Sequence, residues 1–116
     1  MEYKITIGYI GNILSDNSYK FQTRGTKPFC KMWMRELEEK VEALNIPRAS
    51  EYIIKIEGHF TDQRRPDLAN LHKVIGDAIK KGLLVDDKFF RFQDGQVKLG
   101  FIDPELEIII EVRDGS

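Results

Sequence analysis

The sequence is short of the residues that cross-link a protein or anchor it in a membrane. Its 116 residues include one cysteine, Cys30, so an internal disulfide is excluded and no cysteine pair is spaced to bind zinc. No stretch approaches the roughly 18 consecutive apolar residues of a membrane span, and the first residues lack the pattern of a signal peptide. These absences predict a cytoplasmic protein that does not enter the membrane.

The chain also lacks a large excess of either charge. Its net charge of −1 argues against a protein that coats nucleic acid by charge alone. Residues 1–35 nevertheless carry a formal charge of +4, and the remaining residues carry −5. A basic first part and an acidic second part suit phosphate contacts and metal ligation, respectively. With 41% hydrophobic residues, the chain is predicted to form one small domain over residues 1–116.

Hydrophobic periodicity predicts five strands. The alternation of apolar and polar residues, together with short apolar runs, places them at residues 2–10, 51–60, 88–92, 96–102 and 106–112. Asp94 and Gly95 predict a hairpin turn between the third and the fourth of these strands. Residues 11–28 are rich in turn formers and predict a long loop that contains basic side chains suited to a nucleic-acid backbone.

Two helices are predicted between the strands. The first follows Pro28 and ends at Pro47, and its apolar stripe comprises Met32, Leu37, Val41 and Leu44. The second begins near Pro66 and ends at Gly82, a natural C-cap. Its predicted buried side comprises Leu68, Leu71, Ile75, Ala78 and Ile79, and its predicted exposed side comprises Asn70, Lys73 and Asp77.

Residues 64–87 concentrate the side chains that suit chemistry on phosphate. Asp67 opens the second helix, Asn70 and Lys73 follow within two turns, and Asp86 and Asp87 close the segment. Hard divalent cations take oxygen ligands, and a phosphodiester brings negative oxygens of its own. Each residue also has an ordinary interpretation, as a helix-start carboxylate, a turn or a surface ion pair. Their coincidence favours a metal site that acts on phosphate.

Other reactive side chains have simpler interpretations. Cys30 is predicted to pack as a small hydrophobic residue of the first helix. His59 and His72 have no cysteine or second histidine at ligand spacing, so both are interpreted as structural or surface residues.

With its Asp-x-x-Asn-x-x-Lys run at the head of a helix and its Asp-Asp pair beyond that helix, the sequence resembles the RusA-type Holliday junction resolvases, the RusA endodeoxyribonuclease family. The similarity is close over residues 64–87 and extends in outline to the strand, loop, helix and strand before them. The positions that match the family pattern are Asp67, Asn70, Lys73, Asp77, Gly82, Asp86 and Asp87.

The resemblance implies an α/β fold of the α+β type, with a small mixed sheet of about four to five strands packed with two main helices. It implies a homodimer that binds branched DNA and carries two acidic sites. Each site would cut one strand of a four-way junction with Mg²⁺ or Mn²⁺, so that paired symmetric nicks resolve the junction.

The resemblance also implies roles for particular residues. Asp67, Lys73 and Asp87 are the implied catalytic residues, with Lys73 orienting or neutralising the scissile phosphate. The implied metal ligands are Asp67, Asp86 and Asp87. The candidate DNA-binding residues are Lys20, Arg24, Lys27, Arg64, Arg65 and Asn70.

Two positions depart from the family pattern. Pro66 stands where a basic residue usually precedes the first aspartate, although Arg64 and Arg65 lie just upstream. Ala69 stands where the family has its second aspartate, and a methyl group cannot ligate a metal ion.

Three interpretations of Ala69 are open. In the first, Asp86, Asn70 or a water molecule completes the metal shell of an active enzyme. In the second, the chain is a non-catalytic branched-DNA-binding protein of the same fold. In the third, the alanine is an engineered inactivating substitution. Outside nucleic-acid chemistry, the alternative is a small interaction domain that uses the helix around Trp33.

Overall fold

The structure, a computed structural model, describes residues 1–11, 14–15, 27–62 and 67–114. Four strands and two α-helices make up the regular part of this described chain. In chain order they are β1 (Glu2–Gly8), α1 (Pro28–Ala43), β2 (Glu51–His59), α2 (His72–Leu83), β3 (Phe90–Lys98) and β4 (Glu105–Arg113). Short 3₁₀ turns at Leu68–Leu71 and Asp87–Phe89 precede α2 and β3.

The four strands form one mixed sheet in the order β1-β4-β2-β3. The inner strand β4 runs antiparallel to β1 and to β2, the other inner strand, whereas β2 and β3 are parallel. A parallel pair needs a crossover connection, and α2 supplies it between β2 and β3. The predicted α+β class, with a mixed sheet of four to five strands and two main helices, is confirmed.

Alternation along the strands sorts their side chains to the two faces of the sheet. Tyr52, Ile54 and Ile56 of β2 are fully buried in the core that the sheet forms with the helices. Trp33 of α1 joins this core, and its indole N–H donates to the Gly8 carbonyl over 2.6 Å. Because Trp33 is buried, it is not accessible to a protein partner, as the alternative of an interaction domain around this residue would require.

The prediction of a hairpin turn at Asp94 and Gly95 is wrong. Both residues lie inside β3, which runs without interruption beside β2 and has a register shift opposite Ile56 and Gly58 of β2. The strand passes close to its neighbour there, since a Cβ on Gly95 would lie 2.8 Å from Glu57 Cγ. Gly95 is therefore needed for close approach at an irregular point of the sheet rather than for a turn.

The helices differ from their predictions in three details. In α1, Met32 is 69% exposed, whereas Trp33 and Met34 are buried. In α2, the helix continues through Gly82, and Leu84 adopts the left-handed conformation that ends it, at φ 57°. A Cβ on Gly82 would lie 2.8 Å from Val41 of α1, so this glycine lets the two helices pack closely. The five predicted buried positions are confirmed, but two of them, Leu68 and Leu71, belong to the 3₁₀ turn, and α2 itself begins at His72 rather than near Pro66.

None of the helices in the described part of the chain is long and apolar enough to cross a membrane.

Candidate active site

An open cleft of about 450 Å³ lies along the exposed side of α2. Its polar lining comes from two separate parts of the chain, the 3₁₀ turn with α2, and the turn before β3. The polar residues that line it are Asn70, His72, Lys73, Asp77 and Asp87. Asn70, Lys73 and Asp77 are three or four positions apart and share one side of a helical segment, as their spacing predicted.

The end of α2 explains how Asp87 reaches this cleft. Leu84 turns the chain out of the helix, and its N–H donates to the carbonyl of Lys80 over 3.0 Å. Val85 and Asp86 follow, and the 3₁₀ turn that begins at Asp87 leads into β3. The chain thereby doubles back, so that Asp87 lines the same cleft as Lys73.

Asp67 begins the 3₁₀ turn that leads into α2. Its Oδ1 accepts a hydrogen bond from the N–H of Ala69 over 3.1 Å, which is the ordinary role of an aspartate at a helical N-terminus. Its backbone carbonyl also accepts from the N–H of Asn70 over 3.0 Å. These bonds fix Asp67 next to the Asn70 end of the cleft, although Asp67 is not among the residues that line it.

Asp86 has a different environment from Asp87. Its Oδ1 accepts from the N–H of Lys88 over 3.1 Å, so that it caps the second 3₁₀ turn. This bond, with a further hydrogen bond to Asp87, lowers the pKa of the Asp86 carboxyl below its usual value. Asp86 borders a separate hollow beside Lys80 and Lys81. The two adjacent aspartates therefore line different depressions of the surface.

His72, which the sequence indicated to be a structural or surface residue, lines the cleft. His72 Nε2 is 2.6 Å from Asp94 Oδ1, and the imidazole stacks on the ring of Phe92 with centroids 4.5 Å apart. Gly76 makes room for this arrangement, because a Cβ there would lie 3.1 Å from the Phe92 ring. His72 and Asp94 are far apart in sequence, so no spacing signal joined them.

The predicted DNA-binding residues are only partly described. Asn70 is exposed and lines the cleft. Lys27 is the residue just before α1 and is not among the residues that line the cleft. Lys20, Arg24, Arg64 and Arg65 lie outside the described residues.

The cleft brings carboxylate and amide oxygens together with a lysine along the crossover helix and the turns at its two ends, and such a site is suited to phosphate and a divalent cation. The family model described as endodeoxyribonuclease RusA matches residues 18–111. The match spans well over half of the chain, and the chain belongs to the RusA endodeoxyribonuclease family. Membership implies a Holliday-junction-resolving endonuclease, and RusA nucleases are metal-dependent. Among curated proteins, none matches this chain.

The cleft contains the type of ligand atom that such a metal ion prefers. Asn70, Asp77 and Asp87 offer the carboxylate and amide oxygens that Mg²⁺ and Mn²⁺ prefer. The carboxylates of Asp67, Asp86 and Asp87, all in the described part of the chain, are not gathered within 4.8 Å of one another. The assignment of these three residues as ligands stays a prediction.

Proposed function

We propose that this chain is a Mg²⁺- or Mn²⁺-dependent endodeoxyribonuclease that resolves four-way DNA junctions by paired symmetric nicks. The proposal is supported by family membership and by one observation above all. Lys73 of α2 and Asp87 of the turn before β3 line the same cleft, together with Asn70 and Asp77. If the polar residues of α2 served only to keep the protein in solution, there would be no reason for the Asp87 carboxylate of another element to lie in the same cleft.

The proposed roles follow from the chemistry of each group. Asp67 and Asp87 are the proposed cation ligands, and Asp86, which borders the adjacent hollow, is the third candidate ligand. The bound cation supplies charge and Lewis acidity for the hydrolysis of a phosphodiester bond. Lys73 binds a phosphate oxygen and neutralises the negative charge that develops as that bond breaks. Asn70 offers an amide that can donate a hydrogen bond to a neighbouring phosphate.

The proposed DNA contacts extend beyond the cleft. Besides Asn70, the candidate residues are Lys20, Arg24, Lys27, Arg64 and Arg65. Arg64 and Arg65 lie just upstream of Asp67, separated from it by Pro66, so they could reach the phosphates at the proposed site. A homodimer supplies the second site, because a two-fold symmetric junction needs two symmetric cuts.

The test is cleavage of a labelled synthetic four-way junction by the full-length chain, with Mg²⁺ or Mn²⁺, beside Asp87→Asn. We expect the substitution to lower the cleavage rate at least ~100-fold while junction binding persists, because it removes charge at the metal rather than a DNA contact. Asp103→Asn is the matched control, since Asp103 is exposed and outside the cleft. Undiminished cleavage by Asp87→Asn would contradict the site assignment.

Ala69 supports a second candidate function, a branched-DNA-binding protein that does not cut. The residue stands where the resemblance implies a carboxylate, and its backbone N–H donates to Asp67 Oδ1. This candidate predicts that the chain binds junctions without cutting them and that Ala69→Asp introduces cleavage. Cleavage by the unaltered chain at a rate similar to that of Ala69→Asp would exclude it.

A further inference from the structure

A second group of possible metal ligands lies on the face of the sheet that points away from the buried core. Glu57 and His59 belong to β2, and Glu107 belongs to β4. One carboxylate oxygen of each glutamate and one ring nitrogen of His59 all lie within 4.8 Å of one another. The three residues are separate from the cleft on α2.

The register of the sheet brings these side chains together. Glu57 lies directly opposite Glu107, and His59 lies directly opposite Glu105. Two like charges directly opposite each other on one face of a sheet repel and destabilise it. The glutamate side chains are also largely buried, at 15% exposure each. Such a pair needs positive charge close to it, and in this structure each glutamate contacts one lysine.

His59 supplies the second, independent observation. The residue is 8% exposed, and its Nε2 is buried without a hydrogen-bond partner among the residues that the structure describes. Its Nδ1 is 3.3 Å from Glu105 Oε1. Because a carboxylate accepts, Nδ1 must carry the proton, and neutral imidazole then keeps its free lone pair on Nε2. A buried lone pair without a donor costs free energy unless something binds it.

The imidazole is also fixed in orientation. Its ring stacks on Phe101 with centroids 4.6 Å apart and planes 8° apart. In many metal-binding histidines, one ring nitrogen donates a hydrogen bond to a carboxylate and the other nitrogen binds the metal. The carboxylate thereby determines which nitrogen carries the proton. Glu105 is in the position of that carboxylate.

We propose that Glu57, His59 and Glu107 form a binding site for a divalent transition-metal ion, with Glu105 orienting His59. Two carboxylates and one imidazole form a mixed oxygen and nitrogen ligand set. This set suits Zn²⁺ and Mn²⁺ better than it suits Mg²⁺, because Mg²⁺ prefers ligand sets made only of oxygen. His59 Nε2 is the coordinating nitrogen, because Nδ1 is engaged by Glu105. This site does not depend on the function proposed for the cleft.

Two lysines compete with the metal ion for the same carboxylates. Lys4 Nζ is 3.0 Å from Glu107, and Lys55 Nζ is 3.7 Å from Glu57. Both lysine side chains are well exposed, so they can turn into solvent when an ion binds. A carboxylate also has two oxygens, so it can keep its lysine on one and offer the other. Removal of a lysine should therefore strengthen metal binding, whereas a purely structural ion pair would not give this result.

The test is calorimetric titration of the full-length protein with Zn²⁺ and, separately, Mn²⁺. The protein carries Asp67→Asn and Asp87→Asn, so that the proposed nuclease site does not contribute. We expect one binding event that is at least about tenfold weaker in Glu57→Gln and in Glu107→Gln, and about 10- to 100-fold weaker in Glu105→Gln. Lys4→Met should bind the ion more tightly. Glu111→Gln, on the same face of β4, is the matched control and should bind as the parent does.

A spectroscopic measurement identifies the ligand atom. In ¹⁵N-edited NMR of the imidazole, Zn²⁺ should shift the Nε2 resonance of His59 and leave Nδ1 protonated. Circular dichroism of each variant establishes that it is folded. The proposal is overturned if no binding event remains in the Asp67→Asn, Asp87→Asn protein, if folded Glu57→Gln and Glu107→Gln bind as tightly as the parent, or if His59 does not shift.

Discussion

Ala69 and Asp67 are linked by a single hydrogen bond, which shows how one residue can serve both structure and chemistry. The N–H of Ala69 occupies Asp67 Oδ1 and holds that carboxylate at the start of the 3₁₀ turn. Any residue except proline could donate this N–H at position 69, so the cap does not explain why an alanine stands there. An alanine at this position therefore leaves the local backbone unchanged, and the missing carboxylate matters only for the proposed metal site.

Lys73 is the residue whose charge the proposed chemistry needs most directly. Lys73→Met keeps much of the aliphatic length and removes the charge, so we expect junction cleavage to slow by about 10²-fold or more. Binding should weaken far less, because one phosphate contact among several is lost. Single-turnover cleavage and junction-binding titrations measure the two effects separately.

Lys40→Met is the matched control for that experiment. Lys40 is an exposed residue of α1 outside the cleft, so its loss changes net charge equally. If both variants cleave at the same reduced rate, Lys73 acts only through overall charge and the assigned role is wrong.

Cys30 illustrates a residue whose environment suppresses its reactivity. Its side chain is fully buried, and burial raises the pKa of the thiol although Lys27 nearby opposes the shift. Thiolate is the reactive form, so the native protein should react with a thiol reagent such as Ellman's reagent far more slowly than the urea-unfolded chain at the same pH. Equal rates in both states would show that the helix exposes this thiol.

At the scale of elements, the contact between α1 and α2 depends on a missing side chain. A Cβ at Gly82 would lie 2.8 Å from two Val41 side-chain atoms and 3.0 Å from the Glu38 carbonyl oxygen. Gly82→Ala should therefore destabilise the protein by about 1–3 kcal/mol through overpacking, despite the better helix propensity of alanine.

Gly8→Ala is the control for this prediction, since a Cβ at Gly8 meets nothing within 4 Å. Its effect should stay within about 0.5 kcal/mol. Urea unfolding followed by circular dichroism compares the two variants. A Gly82→Ala protein as stable as the parent would mean that the helices can separate at no cost.

The elements that sequence patterns predicted are those whose signal is local. The buried side of α2 has a helical period, and β2 has a period of two, so both followed from spacing alone. The hairpin at Asp94 and Gly95 failed because a turn signal inside a strand was outweighed by pairing with β2, which the crossover through α2 sets. Gly82 failed as a C-cap for a similar reason, since its role depends on Val41 of another helix.

In the candidate site, too, residues that are close in sequence were predictable and contacts between distant residues were not. Asn70, Lys73 and Asp77 share one helical side, and Asp87 was a candidate because it closes the same short segment of the sequence. The His72 contact with Asp94, and the grouping of Glu57 and His59 with Glu107, join residues that are distant in sequence. Contacts of this kind depend on strand order and register, which single-sequence periodicity does not specify.

At the scale of the whole molecule, net charge and symmetry limit how DNA can be held. A chain of net charge −1 must bind DNA through a local basic surface, so junction binding should weaken steeply with added salt. The proposed mechanism places one cutting site, the cleft on α2, on each chain, so both cuts of a junction would require two chains. These constraints make the coupling between two subunits the property that a cleavage assay should examine.

A supercoiled plasmid with an extruded cruciform tests this coupling. Two cuts within the lifetime of one complex give linear DNA, whereas one cut removes the supercoiling, reabsorbs the cruciform and leaves a nicked circle. We expect linear product from the homodimer of an active chain. Mixed dimers that contain one Asp87→Asn subunit should instead give nicked circles, because only one of their two clefts can cut. Linear product from mixed dimers would mean that a single cleft makes both cuts, and the proposed dimeric mechanism would then be wrong.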